Sequence, residues 1–274
     1  MMIVENKLEL PDYLSAYFGH NAFNQIMQMQ GKAFRDVRGR KTIQVTLAGK
    51  SYFIKQHFGV GWAEVFKNLI AFKKPILGAM TEVIAIQKLN SIGIPTTPLV
   101  AYGQQGCNPA TMQSFVMTED LGEIITIEDL CADWQSYSTS YKQAVMQAIA
   151  ELAAKLHGAG LAHRDFYLCH FVLKKQDLDF AAASVKNCHL IDLHRMLQGQ
   201  VSNGRAVMKD IAGLYFSAMQ YGLSKQDLAI FKQHYLPQSP AFWKQVESRA
   251  QALLSKFNSQ KFQQRIQKEQ SAIR

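Results

Sequence analysis

Residues 161–173 read LAHRDFYLCHFVL, so His163, Arg164 and Asp165 stand in a row inside an apolar segment, and His170 follows five residues after the aspartate. Three more ionisable residues share such apolar settings. Lys55 ends the alternating run SYFIK, Glu82 lies 27 positions later in AMTEVIAIQKL, and Asp192 closes HLID, 27 positions after Asp165. A fixed ammonium and separately placed carboxylates suit chemistry on a dense anion. The cation neutralises it, one carboxylate holds the cation, another takes a proton, and a third binds a hard metal ion. The bland alternative for Asp165 is simple pairing with Arg164, whose own role we read as pairing and packing.

The elements that must position these residues are legible. KAFRDVRG, KTIQVTLAG and KSYFIKQ read as three short antiparallel strands. Ile43, Val45 and Leu47 share one face, Tyr52 and Ile54 alternate against Phe53 and Lys55, and AGK makes the turn. Ala79, Val83, Ile86 and Leu89 repeat at helical spacing, with Gly93 and Pro95 beyond the end. TPLVAYG and QSFVMTED give two more strands. Val145, Ile149, Leu152 and Leu156 mark a helix whose expected stop is Gly158. A strand signal surrounds Leu190 and Ile191. KDIAGLYFSAM reads as a buried helix, Ser224 with Asp227 as a capping pair, and Ser239 with Pro240 as a helix start. The expected class is therefore α+β: a small sheet-rich lobe over about residues 1–117 and a larger helical lobe over about 121–274, forming one domain with a ligand cleft between them.

Composition sets bounds. The chain of 274 residues is 48% hydrophobic and 19% charged, ordinary for a folded protein. No window is apolar enough to cross a bilayer, and the N-terminus MMIVENKLELPDY lacks a secretory pattern, so we expect a cytosolic protein. Cys107, Cys131, Cys169 and Cys188 form no C-x-x-C pair, and free thiols are expected rather than zinc. A net charge of +9 favours anionic partners: nucleic acid, an anionic membrane surface or phosphorylated ligands. No nucleic-acid motif is present, so that reading has only charge behind it.

In order, strand lysine, helix glutamate, H-R-D loop and strand-end aspartate resemble the protein-kinase-like superfamily over about residues 30–215. That resemblance implies ATP and Mg²⁺, with Lys55 on the α- and β-phosphates, Glu82 fixing Lys55, Asp192 binding metal and Asp165 as base. His170 takes the place of a metal-binding Asn, and imidazole suits softer ions than Mg²⁺. Its alternatives are a bond to phosphate or a role fixing the loop. No full glycine-rich loop exists, and Arg38 and Arg40 are candidates to replace its donors. Met117 and Glu119 are assigned to the nucleotide. Tyr167, His194, Arg195 and Asp210, with Arg164, are assigned to the substrate side or to structure. Lys209 comes only seventeen positions after Asp192, leaving little room for a peptide-binding segment, so a small-molecule or glycan acceptor fits better.

HRDFYLCHF, IDLHR and KDIAGLYFSA, with FGVGWAEVFKNL, PILGAMTE and VAYG, look like the lipopolysaccharide core heptose(I) kinases of Gram-negative bacteria. The resemblance implies transfer of the γ-phosphate of ATP to a heptose hydroxyl of the inner core, on the cytoplasmic face of the inner membrane, by a peripheral enzyme. It implies a lipopolysaccharide core glycolipid as substrate. The basic C-terminal segment, with Lys256, Lys261, Arg265, Lys268 and Arg274, reads as a solvated face or as contact with lipid or an acidic partner protein. Trp62, Phe66 and Ile70, near Lys67, Lys73 and Lys74, read as a helix packed on the sheet lobe, or as a glycolipid contact. Two alternatives stay open: another small-molecule or Kdo kinase, and a catalytically inactive kinase-like binding protein.

Overall fold

A computed structural model of the chain describes residues 6–37, 39–63, 66, 78–178 and 188–271. It divides into two compact units, Met1–Gly122 with Asp192–Met196, and Glu123–Ile191 with Leu197–Arg274.

The first unit is built on a six-stranded antiparallel sheet: β1 (Lys7–Glu9), β2 (Lys32–Val37), β3 (Arg40–Leu47), β4 (Lys50–His57), β5 (Leu99–Gln105) and β6 (Gln113–Glu119), in the order β1-β5-β6-β4-β3-β2. The β3–β4 turn falls at Ala48 and Gly49, both at positive φ (49° and 78°), which matches the strand twist of a tight hairpin. Because side chains alternate, Ile43, Ile54 and Tyr52 point to one face with Phe115 and Met117. That face is buried under Leu14 and Phe18 of α1 (Asp12–Phe18) and Phe23, Ile26 and Met27 of α2 (Ala22–Gln28). These two helices were not anticipated from the sequence. Gln56 also lies on this face, and its Nε2 donates to Ile26 O at 2.7 Å and to Met27 and Met29 O at 3.3 Å, satisfying carbonyls at the end of α2.

The opposite face carries Phe53, Lys55 and His57. It holds α3 (Met80–Ser91), whose start is fixed by Ala79 N donating to Ser114 Oγ at 2.9 Å. Val83, Ile86 and Leu89 are fully buried, as their spacing requires.

The second unit is mainly helical. A three-stranded sheet, β7 (Ile124–Thr126), β8 (Phe171–Lys174) and β9 (His189–Leu190), is ordered β7-β8-β9. The helices are α4 (Ile127–Ala132), α5 (Thr139–Gly158), α6 (Arg205–Gln220), α7 (Lys225–His234), α8 (Pro240–Phe257) and α9 (Gln260–Ser271). Val145, Ile149 and Leu156 of α5 are buried. That helix ends at Gly158, the expected stop, with Ala159 as its C-cap and the left-handed Gly160 (φ 72°) just beyond. Ser224 and Asp227 form a reciprocal capping box, and Ser239 Oγ accepts from Phe242 N. The α+β class expected from the sequence is what the chain adopts. The short segment Asp192–Met196 groups with the first unit although its neighbours in the chain belong to the second.

One expectation for the surface changes. Trp62 and Phe66 are helical as expected but not packed on the sheet: they are 50% and 55% exposed and stack on each other, with centroids 5.6 Å apart. Ile70, Lys67, Lys73 and Lys74 lie outside the described residues, as does Arg274.

Candidate active site

In the first unit, β4 aims Lys55 toward α3, where Nζ lies 2.7 Å from Glu82 Oε1. The same ammonium is 3.2 Å from Asp192 Oδ1, which also accepts from His194 Nδ1 at 2.8 Å. A carboxylate can only accept, so His194 carries its proton on Nδ1. Asp192 is left-handed (φ 61°, ψ 54°), a conformation that costs a non-glycine residue about 1 kcal/mol. The turn Leu193–Arg195 that follows is anchored by Leu193, which is buried, and contains Arg195 half-buried beside it.

The electrostatics follow from this geometry. Burial pulls the Lys55 ammonium down, but Glu82 and then Asp192 outweigh it and hold the pKa above the ordinary value. Arg40, paired in register with His57, is pulled down by burial and by Arg35, against the opposing charges of Asp192 and Glu82. His57 is buried, and burial together with the positive Arg40, Lys55 and His194 pushes it to about 3, so it is neutral. Among the described residues two buried atoms here have no hydrogen-bond partner: Glu82 Oε2 and His57 Nδ1.

Sheet register decides which face each β6 residue takes. Met117 pairs with Ile54, so its side chain enters the core on the face away from Lys55 and is completely buried, while its backbone sits in a central strand between β4 and β5. Glu119 pairs with Tyr52 on that same far face. Thr118 and Val116, opposite Phe53 and Lys55, are the β6 residues on the Lys55 face. Sequence reading missed Thr118 and His57, although alternation from Lys55 would have found His57. Arg38 lies outside the described residues.

In the second unit, every part of the H-R-D loop is tied by its backbone. Asp210, on α6 and buried, accepts from His163 N at 2.5 Å and Arg164 N at 2.8 Å, one carboxylate oxygen to each. Arg164 sits at φ 75°, so the clamp holds a strained turn directly before Asp165. His163 Nε2 donates to Ile191 O at 3.0 Å, which leaves Nδ1 to accept from Asp165 N at 3.3 Å. Burial lowers the His163 pKa, in keeping with that neutral tautomer. His170 Nδ1 donates to Asp165 O at 2.6 Å, and Tyr167 N donates to the same carbonyl at 3.0 Å. His170 thus fixes the loop, and its bonding nitrogen away from the carbonyl is Nε2. Gly213 lets α6 approach: a Cβ there would lie 3.2 Å from the Tyr167 ring and 3.3 Å from Phe166 O.

Among the described residues no group of three or more His, Cys, Asp and Glu is placed to hold a metal by itself. This donor set fits Mg²⁺, which is usually held by one or two carboxylates together with phosphate oxygens and water. The half-exposed Asp192 carboxylate is such a donor, and the Lys55 ammonium beside it is suited to phosphate.

An ammonium fixed between a helical glutamate and a strand-end aspartate is the arrangement by which kinase-like phosphotransferases hold nucleotide phosphates, and the fold and these clusters point to that class. The family comparison narrows it. The model of the lipopolysaccharide kinase (Kdo/WaaP) family matches residues 24–235, and the chain belongs to that family. It is similar to the lipopolysaccharide core heptose(I) kinase WaaP of Pseudomonas aeruginosa, 38% identical over 219 residues, covering 79% of this chain and 81% of the relative. It is equally similar to WaaP of Escherichia coli, 38% identical over 247 residues, covering 89% and 91%. A solved structure of WaaP in complex with acyl carrier protein superposes with a TM-score of 0.75 at 31% identity, covering 90% of this chain and 99% of the other.

Proposed function

We propose that this chain transfers the γ-phosphoryl group of ATP to a heptose hydroxyl of the lipopolysaccharide inner core. The observation that carries the catalytic part is the Lys55 ammonium held at 2.7 Å by Glu82 and at 3.2 Å by Asp192. The named activity of the relatives supports the acceptor. Lys55, helped by Arg40, neutralises the nucleotide phosphates, and Glu82 keeps the ammonium in place. Asp192, oriented by His194, supplies an oxygen ligand to Mg²⁺, which when bound neutralises charge on the transferring phosphoryl group. Asp165 accepts the proton of the acceptor hydroxyl as its oxygen bonds to phosphorus and the bond to the ADP oxygen breaks. His163, His170 and Asp210 hold the backbone around Asp165, and Arg164, Tyr167 and Arg195 are left to the acceptor side.

The enzyme acts as a peripheral protein on the cytoplasmic face of the inner membrane. No described helix is long and apolar enough to cross a membrane, and the +9 charge suits an anionic surface or an acidic partner. The neighbouring WaaP structure contains acyl carrier protein, and a protein of that kind is the partner we assign. The test is purified protein with Mg-ATP and defined core oligosaccharides lacking or carrying heptose. Mass spectrometry should find one added phosphate only where heptose is present. Phosphate on a heptose-free Kdo acceptor would replace the substrate assignment, and no transfer to any acceptor would reject the reaction.

A further inference from the structure

Behind the Asp210 clamp lies a second layer of buried polar groups that the reaction does not touch. His157, on α5 and with no exposed surface, places Nε2 3.4 Å from Asp210 Oδ2 and Nδ1 2.8 Å from the hydroxyl of Tyr235, the residue that follows α7. Tyr235 is 5% exposed. Asp210 Oδ2 already faces the His163 N–H, and a lone pair of His157 aimed at it would repel it. The arrangement without repulsion has His157 Nε2–H donating to Asp210 and the Tyr235 hydroxyl donating to Nδ1. Each group then has one proton direction: Tyr235 donates to His157 and His157 to Asp210, where the amides of His163 and Arg164 also donate.

The geometry points to Tyr235 as a positioning residue for the H-R-D loop. Its hydroxyl selects the His157 tautomer that donates to Asp210, and so sets how firmly Asp210 holds the strained Arg164 turn before Asp165. The ring has a separate task. It stacks on Phe231 (centroids 5.4 Å apart, planes at 19°) and meets Trp243 edge-on at 5.9 Å. Tyr235→Phe keeps these contacts and removes only the proton donor, so packing and positioning separate in one substitution. Without the hydroxyl, the buried Nδ1 has no donor, and the competing tautomer, which turns a lone pair toward Asp210, gains population.

The kinetic part of this inference rests on the proposed phosphotransferase activity, and the structural part does not. In full-length protein, ¹⁵N NMR of the imidazoles should find His157 protonated on Nε2 with Nδ1 as acceptor. Hydrogen exchange should find the His163 and Arg164 amides protected in the wild type. In Tyr235→Phe these two amides should exchange about tenfold faster while the α5 and α6 amides are unchanged, and kcat should fall about tenfold with KM for ATP within twofold. A proton on Nδ1 in the wild-type protein overturns the inference with no variant needed, which covers the case in which Tyr235→Phe does not fold. Wild-type exchange and kcat in a folded Tyr235→Phe protein also overturn it. Altered exchange in a protein with no kinase activity would reject the reaction and leave the positioning role standing.

Discussion

The Lys55 cluster and the Asp165 loop place charge by opposite means. Around Lys55, side chain meets side chain: one ammonium, two carboxylates and an imidazole, with Lys55 and Asp192 28% and 30% exposed. Around Asp165, side chains act on backbone: Asp210, His163 and His170 bond to peptide groups. The difference follows from what each must do. A lysine that meets phosphates must keep its charge while exchanging partners, so it is held by opposite charges at a wet edge. In the proposed reaction Asp165 must stand at a fixed point, and here the protein holds the main chain around it. The second arrangement needs dry surroundings, because backbone bonds lose to water; hence His157, His163 and Asp210 are all but fully buried.

The sharpest way to test this contrast is to remove each reactive group. If Asp165 is the base proposed above, Asp165→Ala should lower kcat by about 10³-fold while the protein stays folded. A cooperative loss of stability with that variant would show that the carboxylate itself is structural. Lys55→Ala should do both kinds of damage: turnover collapses and KM for ATP rises, while Glu82 is left as an unpaired buried carboxylate at a cost of about 3 kcal/mol. Lys55→Met with Glu82→Leu should recover most of the stability and none of the activity. Denaturant titration with kinetics on the same samples reads both. Equal stability of single and double variants would mean that the pair does not support the fold.

A pH series distinguishes the charges further. His57 binds no proton in the folded state until about pH 3, whereas an unfolded histidine protonates near 6.5. Between those values the unfolded chain holds the extra proton, so stability should fall as the pH drops through that window, by up to about 1.4 kcal/mol per unit. His57→Gln should flatten that slope. Lys55 has the reverse sign: its folded pKa lies above 10.5, so its contribution is complete below that pH and is lost only at more alkaline values. The smallest effect expected is at a helix start remote from either cluster. Ser224→Ala removes one half of a capping box and should cost about 1 kcal/mol in melting experiments, with kcat unchanged.

Much of this molecule was legible in its residues. Alternation in β3 and β4 and the 3.6-residue stripes of α3 and α5 follow from local burial, and such patterns report themselves along the chain. So did the caps at Ser224 and Ser239, because a cap is a contact within one turn. Helices α1 and α2 escaped notice, since two seven-residue helices present too few turns for periodicity to stand out. The facing of Met117 was not legible either: register turns its side chain into the core, and register depends on which strand pairs with which.

Taken alone, the amino-acid sequence determined the candidate chemistry: a strand lysine, a helical glutamate and two aspartates in apolar settings, because residue type and local pattern are properties of neighbours in the chain. Only the tertiary structure decided that Glu82 and Asp192 meet the same ammonium, 27 and 137 positions from Lys55. It also decided that Tyr235 and His157 stand behind Asp210. Hydrogen bonds form over about 3 Å of space whatever the distance along the chain, and no periodicity encodes a contact between elements that fold apart and then pack.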